Sequence, residues 1–199
     1  MLSDVGIRAA LRSKQIEVDP VDDLDRRVQA ASIDVRLGHE FLAMRGPLGW
    51  LGYDNDGDVI DPKWDTAHLM RRQVVDVADG GYFLLHPGVF ALATTMERVK
   101  IGPCLVGRLE GKSSLARFGL LVHSTAGFID PGFNGQITLG LTCNAPLPIR
   151  LWPGMPIGQV TFDRLDRQAA RPYAGKYVDQ VGPQPSRFHL NWDPEKASW

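Results

Sequence analysis

Residues 107–135 read GRLEGKSSLARFGLLVHSTAGFIDPGFNG. A basic, hydroxyl-bearing turn, Gly111-Lys112-Ser113-Ser114, is followed by Arg117 and then by a Gly-rich turn carrying a single carboxylate, Asp130. Hydroxyl and cationic donors ahead of an acid suit the holding of a phosphate chain and the activation of water. GKSS invites a P-loop reading, which fails. A Walker A loop needs four residues between its first Gly and Gly-Lys-Ser, and Gly107 leaves only Arg108-Leu109-Glu110. Leu115-Ala116-Arg117-Phe118 then stops at Gly119, too short for the helix such a loop opens. The motif mismatch and the all-β context together argue against a P-loop ATPase or kinase.

Outward from this centre the same texture continues. Short β-rich runs recur at Tyr82–Leu85, Val89–Thr95, Cys104–Leu109, Gln136–Leu141, Ile149–Trp152 and Ile157–Phe162. Pro87-Gly88, Pro131-Gly132 and Pro153-Gly154 separate them, each suited to a type II turn. Upstream, Ser32–Leu37 alternates apolar and polar residues and ends at Gly38. Ser3 is placed to cap a short helix with Ile7, Ala10 and Leu11 on one face. The expected fold is mainly β, a distorted jelly-roll or barrel with a short N-terminal helix. Residues 1–170 are expected to form the barrel domain, with 46–80 as a long loop or insertion. Residues 171–199, rich in Pro and Gly, read as an extended arm that orders over a ligand or a neighbouring subunit.

Composition excludes several classes. With 22 basic and 23 acidic residues, the net charge of -1 gives no footing for nucleic acid or an anionic membrane. No apolar run approaches the ~20 residues of a membrane span, and MLSDVGIRAALRSKQ lacks the apolar core of a secretory signal. Cys104 and Cys143 have neither metal nor redox spacing and fit a cytoplasmic protein with reduced thiols. A zinc deaminase needs H-x-E followed by P-C-x-x-C. Here Glu40 directly follows His39, and Pro103-Cys104 has no second Cys, so that chemistry is excluded. Asp54-Asn55-Asp56-Gly57-Asp58 misplaces the Gly of a calcium loop and lacks its closing Glu, so it reads as a solvated turn.

Six ordered blocks resemble the dCTP deaminase/dUTPase family: SIDVRLG (32–38), FLLHPG (83–88), GKSSLARFGL (111–120), TAGFIDPGFNG (125–135), LPIRLWPGMPIGQVTF (147–162) and GKYVDQVGPQPSR (175–187). The resemblance implies a dUTPase-like barrel assembled as a homotrimer, with active sites between subunits and a pyrimidine deoxynucleoside triphosphate as substrate. It places Ser113 and Arg117, flanked by Lys112 and Ser114, on the phosphate-binding loop. On residue type alone, Ser113 also suits a helix cap and Arg117 a surface ion pair. The base is implied to sit in the turn from Ala126 through Phe128 to Gly135 and Gln136, with Ala126 supplying a backbone carbonyl. Asp130 matches the carboxylate that activates water at the α-phosphate. Tyr173, Lys176 and Gln180 match the arm that closes over the triphosphate. Mg²⁺ is implied to be held by phosphates and waters, with no protein ligand.

One position departs from the pattern. Family deaminases read I-T-L-E after the Gly-rich turn, the Glu being the general base; here the run is Ile137-Thr138-Leu139-Gly140. Glycine cannot move a proton, and its small size is expected to open space beside the base. Phe128 also stands where deaminase-only members often carry a basic residue. The leading expectation is thus a pyrimidine dNTP pyrophosphohydrolase, most simply dUTP to dUMP and pyrophosphate, possible also on dCTP or a modified pyrimidine. The alternatives are a dCTP deaminase or bifunctional deaminase/dUTPase, and a non-catalytic dNTP sensor.

Overall fold

A computed structural model describes residues 1–44, 60–63 and 65–192. The chain opens with α1 (Asp4–Arg12), where Ser3 accepts a hydrogen bond from the Gly6 amide and Ile7 and Ala10 are buried, as the spacing predicts. β1 (Ile16–Asp19), the single turn α2 (Leu24–Arg27), β2 (Ile33–Arg36) and β3 (Glu40–Met44) follow. After the insertion come β4 (Met70–Val74), β5 (Phe83–Leu85), β6 (Phe90–Ile101) and β7 (Leu105–Gly111). The single turn α3 (Ser113–Ala116) leads into β8 (Leu120–Leu121), β9 (Phe128–Ile129), β10 (Asn134–Cys143), β11 (Ile149–Leu151) and β12 (Pro156–Arg164).

Among the described residues the strands form three antiparallel sheets. One runs β4-β3-β6-β10-β8 with β1 added to β6, the second runs β2-β12-β7-β9, and the third pairs β11 with β5. Ala91, Ala93, Leu139 and Leu141 of the first sheet share one core with Val35, Leu109, Val160 and Phe162 of the second. The layers touch closely at Gly107, where an added Cβ would lie 2.6 Å from Ile101 Cδ1. The three Pro-Gly turns hold φ of 74°, 90° and 84° at Gly88, Gly132 and Gly154, values that glycine adopts without steric cost.

Three differences from expectation matter. Residues 46–80 are not all loop: Met70–Val74 is a strand paired along its whole length with β3. Its composition, MRRQV, carries no alternation, so only the partner strand defines it. The remainder of that segment up to 59, including the solvated turn expected at 54–58, lies outside the described residues, as do 64 and 193–199. The arm, described to Trp192, is seated on the chain's own barrel. Asp179 N donates to Asn134 O at 2.7 Å, and Tyr173 N to Pro131 O at 2.7 Å. Neither a ligand nor a second copy is needed for those bonds. The third difference concerns length, since β6 runs on from Thr95 to Ile101.

That extension carries Glu97, which is fully buried. Its carboxylate accepts from Arg27 Nη1 at 2.8 Å, Arg36 Nε at 2.6 Å and the Arg36 amide at 2.8 Å. Arg36 also grips Asp22 through two bonds of 2.7 and 3.0 Å. That Asp22 hydrogen bond, together with Glu97, raises the Arg36 guanidinium pKa above its ordinary value despite desolvation. Truncating one partner of such a network leaves buried cations uncompensated. Glu97→Ala is expected to lower unfolding free energy by about 3–5 kcal/mol. Urea denaturation checks this, and a loss below about 1 kcal/mol, the range of an exposed pair, would refute it.

Candidate active site

A cleft of about 430 Å³ opens between the β9–β10 turn, the outer face of the first sheet and the arm, within the ~300–1,000 Å³ common for small-molecule sites. Its wall holds Ala126, Phe128, Asp130 and Phe133; its floor holds Phe90, Leu92 and Thr138; the arm closes it with Tyr173, Tyr177 and Gln180. Ile60, Thr66 and Met70 complete one end. Asp130 is the single carboxylate among these lining residues.

Local sequence explains how the groups are aimed. In Asp130-Pro131-Gly132-Phe133, the Phe133 amide donates to Asp130 O at 3.1 Å, closing the turn and leaving the Asp130 side chain exposed. On β10 the pairing with β6 slips between Gln136 and Thr138. At this irregularity the Ile137 amide donates to Thr95 Oγ1 at 3.0 Å instead of to the ladder. Bulges of this kind re-aim side chains beside active sites. Here Gln136 and Thr138 both turn to the arm. Gln180 Nε2 donates to Gln136 O at 2.5 Å and Thr138 Oγ1 at 3.1 Å, and Gly182 N donates to Gln136 Oε1 at 2.7 Å. Gly135 permits this approach, because a Cβ there would lie 3.1 Å from Gln180 N.

The structure thus brings Ala126, Phe128, Asp130, Tyr173 and Gln180 together. Gly135 and Gln136 adjoin the cleft by holding the arm. The remaining candidates lie elsewhere. Ser113, Ser114 and Arg117 are exposed on or beside α3 and do not line the cleft. Lys112, not Ser113, occupies the N-cap of that turn, and Arg117 has no ion pair among the described residues. Lys112 Nζ is bound to both carboxylate oxygens of Asp34 at 2.8 Å. Lys176 turns into the arm, donating to Arg187 O at 3.2 Å and to Asn191 Oδ1.

Gly140 does not open space as expected. It pairs with Leu92 on β6, and a Cβ added there would meet Phe90 Cε2 at 3.3 Å. The aromatic ring already lies over the position. Sequence reasoning also missed Thr138, Phe90 and Tyr177. For Thr138 the signal was available, since strand alternation places it on the same face as Gly140. Among the described residues, no three His, Cys, Asp or Glu side chains converge as a metal-binding set.

This architecture is a mainly β barrel with an arm-covered cleft. Among solved structures, 2'-deoxycytidine 5'-triphosphate deaminase from Agrobacterium tumefaciens matches with a TM-score of 0.59 at 20% identity, over 81% of this chain and 46% of that one. The chain spans under half the length of that protein, and the likeness concerns the fold alone. Residues 1–165 match the family model described as dCTP deaminase-like. The chain is 46% identical to dCTP deaminase, dUMP-forming, of Corynebacterium efficiens, over 100% of this chain and 99% of that protein. It is 48% identical to the protein of the same name from Mycolicibacterium smegmatis, over 96% and 98%. The chain belongs to the dCTP deaminase-like family.

These findings overturn the expectation of a plain dUTP pyrophosphohydrolase, and they do not bear out the doubt cast on deamination. That expectation let one missing side chain outweigh similarity along the entire chain. Relatives of near-half identity are named for deamination carried through to dUMP.

Proposed function

We propose that this chain converts dCTP to dUMP, releasing ammonia from the base and pyrophosphate from the triphosphate. The names of its full-length relatives support the overall conversion. The observation that carries the site assignment is the convergence of Asp130, Ala126, Thr138 and Gln180 in one cleft. Asp130 takes a proton from the water that attacks the α-phosphate, and pyrophosphate leaves. Ala126 O and the neighbouring turn read the base, while Tyr173 and Gln180 cover the nucleotide. A second water adds at C4 of the cytosine and ammonia leaves; with no carboxylate at position 140 to move the proton, this is the slower step.

Ser113 and Arg117 serve the phosphates, Arg117 through its fixed fork of donors. Because α3 lies outside this cleft, the site is completed by a neighbouring copy within a homotrimer. Arg117 borders a hollow shared with Phe118 and Leu147, which are 64% and 72% exposed, an apolar rim suited to such a contact. Lys112 and Lys176 are engaged with Asp34 and Asn191, so they add positive field more than direct ligation. Mg²⁺ arrives with the triphosphate, held by its phosphates and waters. The reaction is placed in the cytoplasm, where the free Cys104 and Cys143 stay reduced.

Incubation with dCTP is expected to yield dUMP, pyrophosphate and ammonia in equal amounts, resolved by chromatography and an ammonia assay. Intact dCTP, or dUTP accumulating as the end product, would overturn the assignment.

A further inference from the structure

Three polar side chains from separate parts of the chain meet just outside the cleft. Arg98 lies on β6, Asn134 opens β10, and Asp179 sits on the arm immediately before Gln180. Arg98 Nε donates to Asn134 Oδ1 at 2.9 Å, and Asn134 Nδ2 donates to Asp179 Oδ1 at 2.9 Å. Arg98 Nη2 closes the ring onto the same Asp179 oxygen. The Asp179 amide adds a bond to Asn134 O at 2.7 Å. Asp179 also has φ of 57°, the left-handed region that Asp tolerates better than most residues. A turn of that kind reverses the chain locally and delivers Gln180 inward to Gln136 O and Thr138 Oγ1.

We propose that Arg98, Asn134 and Asp179 form an electrostatic latch that holds the arm shut and sets Gln180 in the cleft, making them positioning residues for nucleotide binding. The latch rests on the cleft being the nucleotide site, as proposed above. None of the three is among the residues that line the cleft. They act through Gln180 and through the Gly182 amide bonded to Gln136 Oε1. Arg98 and Asp179 side chains are 36% and 61% exposed, so the contact is open to solvent and screened by salt. The latch is therefore weak enough to open for substrate entry and product release. Asn134 raises its specificity by giving Asp179 a second donor.

The test is a double-mutant cycle of Arg98→Gln and Asp179→Asn, since Asn keeps the left-handed backbone and removes only the charge. Two readouts are taken on the full chain. Hydrogen exchange at the Gln180 and Gly182 amides without nucleotide is expected to quicken about three- to ten-fold in each single variant and no further in the double, in line with a pair reinforced by one neutral bond. KM for dCTP should rise by a similar factor with kcat within about two-fold, and 0.5 M salt should raise the wild-type KM by a larger factor than it raises the Asp179→Asn value. Unchanged exchange, additive single effects, or a fall in kcat at constant KM would each overturn the latch. If the wild type does not turn over dCTP, the functional reading falls, and exchange alone then decides whether the latch stands.

Discussion

Asp130→Asn is expected to lower pyrophosphate release by about 10²- to 10⁴-fold, the usual worth of a positioned general base, while nucleotide still binds. The substitution is close to isosteric, and the turn is held by main-chain bonds it does not touch. Phe133 N donates to Asp130 O at 3.1 Å, Gly132 N to Ile101 O at 2.9 Å, and Tyr173 N to Pro131 O at 2.7 Å. The side chain is exposed, so folding stability should move by no more than about 0.5 kcal/mol. Asparagine can still orient a water but cannot take its proton. The measurement is pyrophosphate release from dUTP, paired with calorimetric binding of a non-hydrolysable dUTP analogue. Activity within ten-fold of wild type at unchanged affinity would remove Asp130 from the chemistry and return it to the role of turn-former.

How much could be read before the fold was known depends on the range of the interaction that carries the signal. The capped helix and the Pro-Gly turns are local, fixed by a side chain three residues away or by φ at one glycine, and they appear where expected. So do the core strands β7, β10 and β12, whose alternation survives in β10 without a break from Asn134 to Cys143. β4 is different, because four of its five residues are exposed and only pairing with β3 makes it a strand. The cleft follows the same rule. The turn from Ala126 to Gly132 was legible because its Gly, Pro and Asp lie together in the chain. The floor and far end were not, since Phe90, Leu92 and Met70 reach Thr138 only through sheet register. Gly140 shows the cost of reading one position alone: its empty volume is taken by a ring that lies fifty residues upstream.

Gly140→Glu is expected to raise ammonia release from dCTP by about 10²-fold or more, because it supplies the proton acceptor that position now lacks. The site can take the side chain. Gly140 lies mid-strand on β10, on the same face as Thr138, and its amide is already satisfied by Val122 O at 3.0 Å. The obstacle is the Phe90 ring, 3.3 Å from an added Cβ, and a ring at the cleft floor can tilt by the few tenths of an ångström required. The carboxylate would then sit two residues from Thr138, facing the turn that is proposed to hold the base. Gly140→Gln is the control, because it has the same length, the same demand on Phe90 and no basic oxygen. Initial ammonia release at saturating dCTP should rise in the Glu variant and stay at or below wild type in the Gln variant. Equal rates in the two would mean that bulk at position 140, not proton transfer, limits the step. No rise in either would mean that deamination here already runs on another group, and Asp130, as the remaining acid of the cleft, would be the first to test.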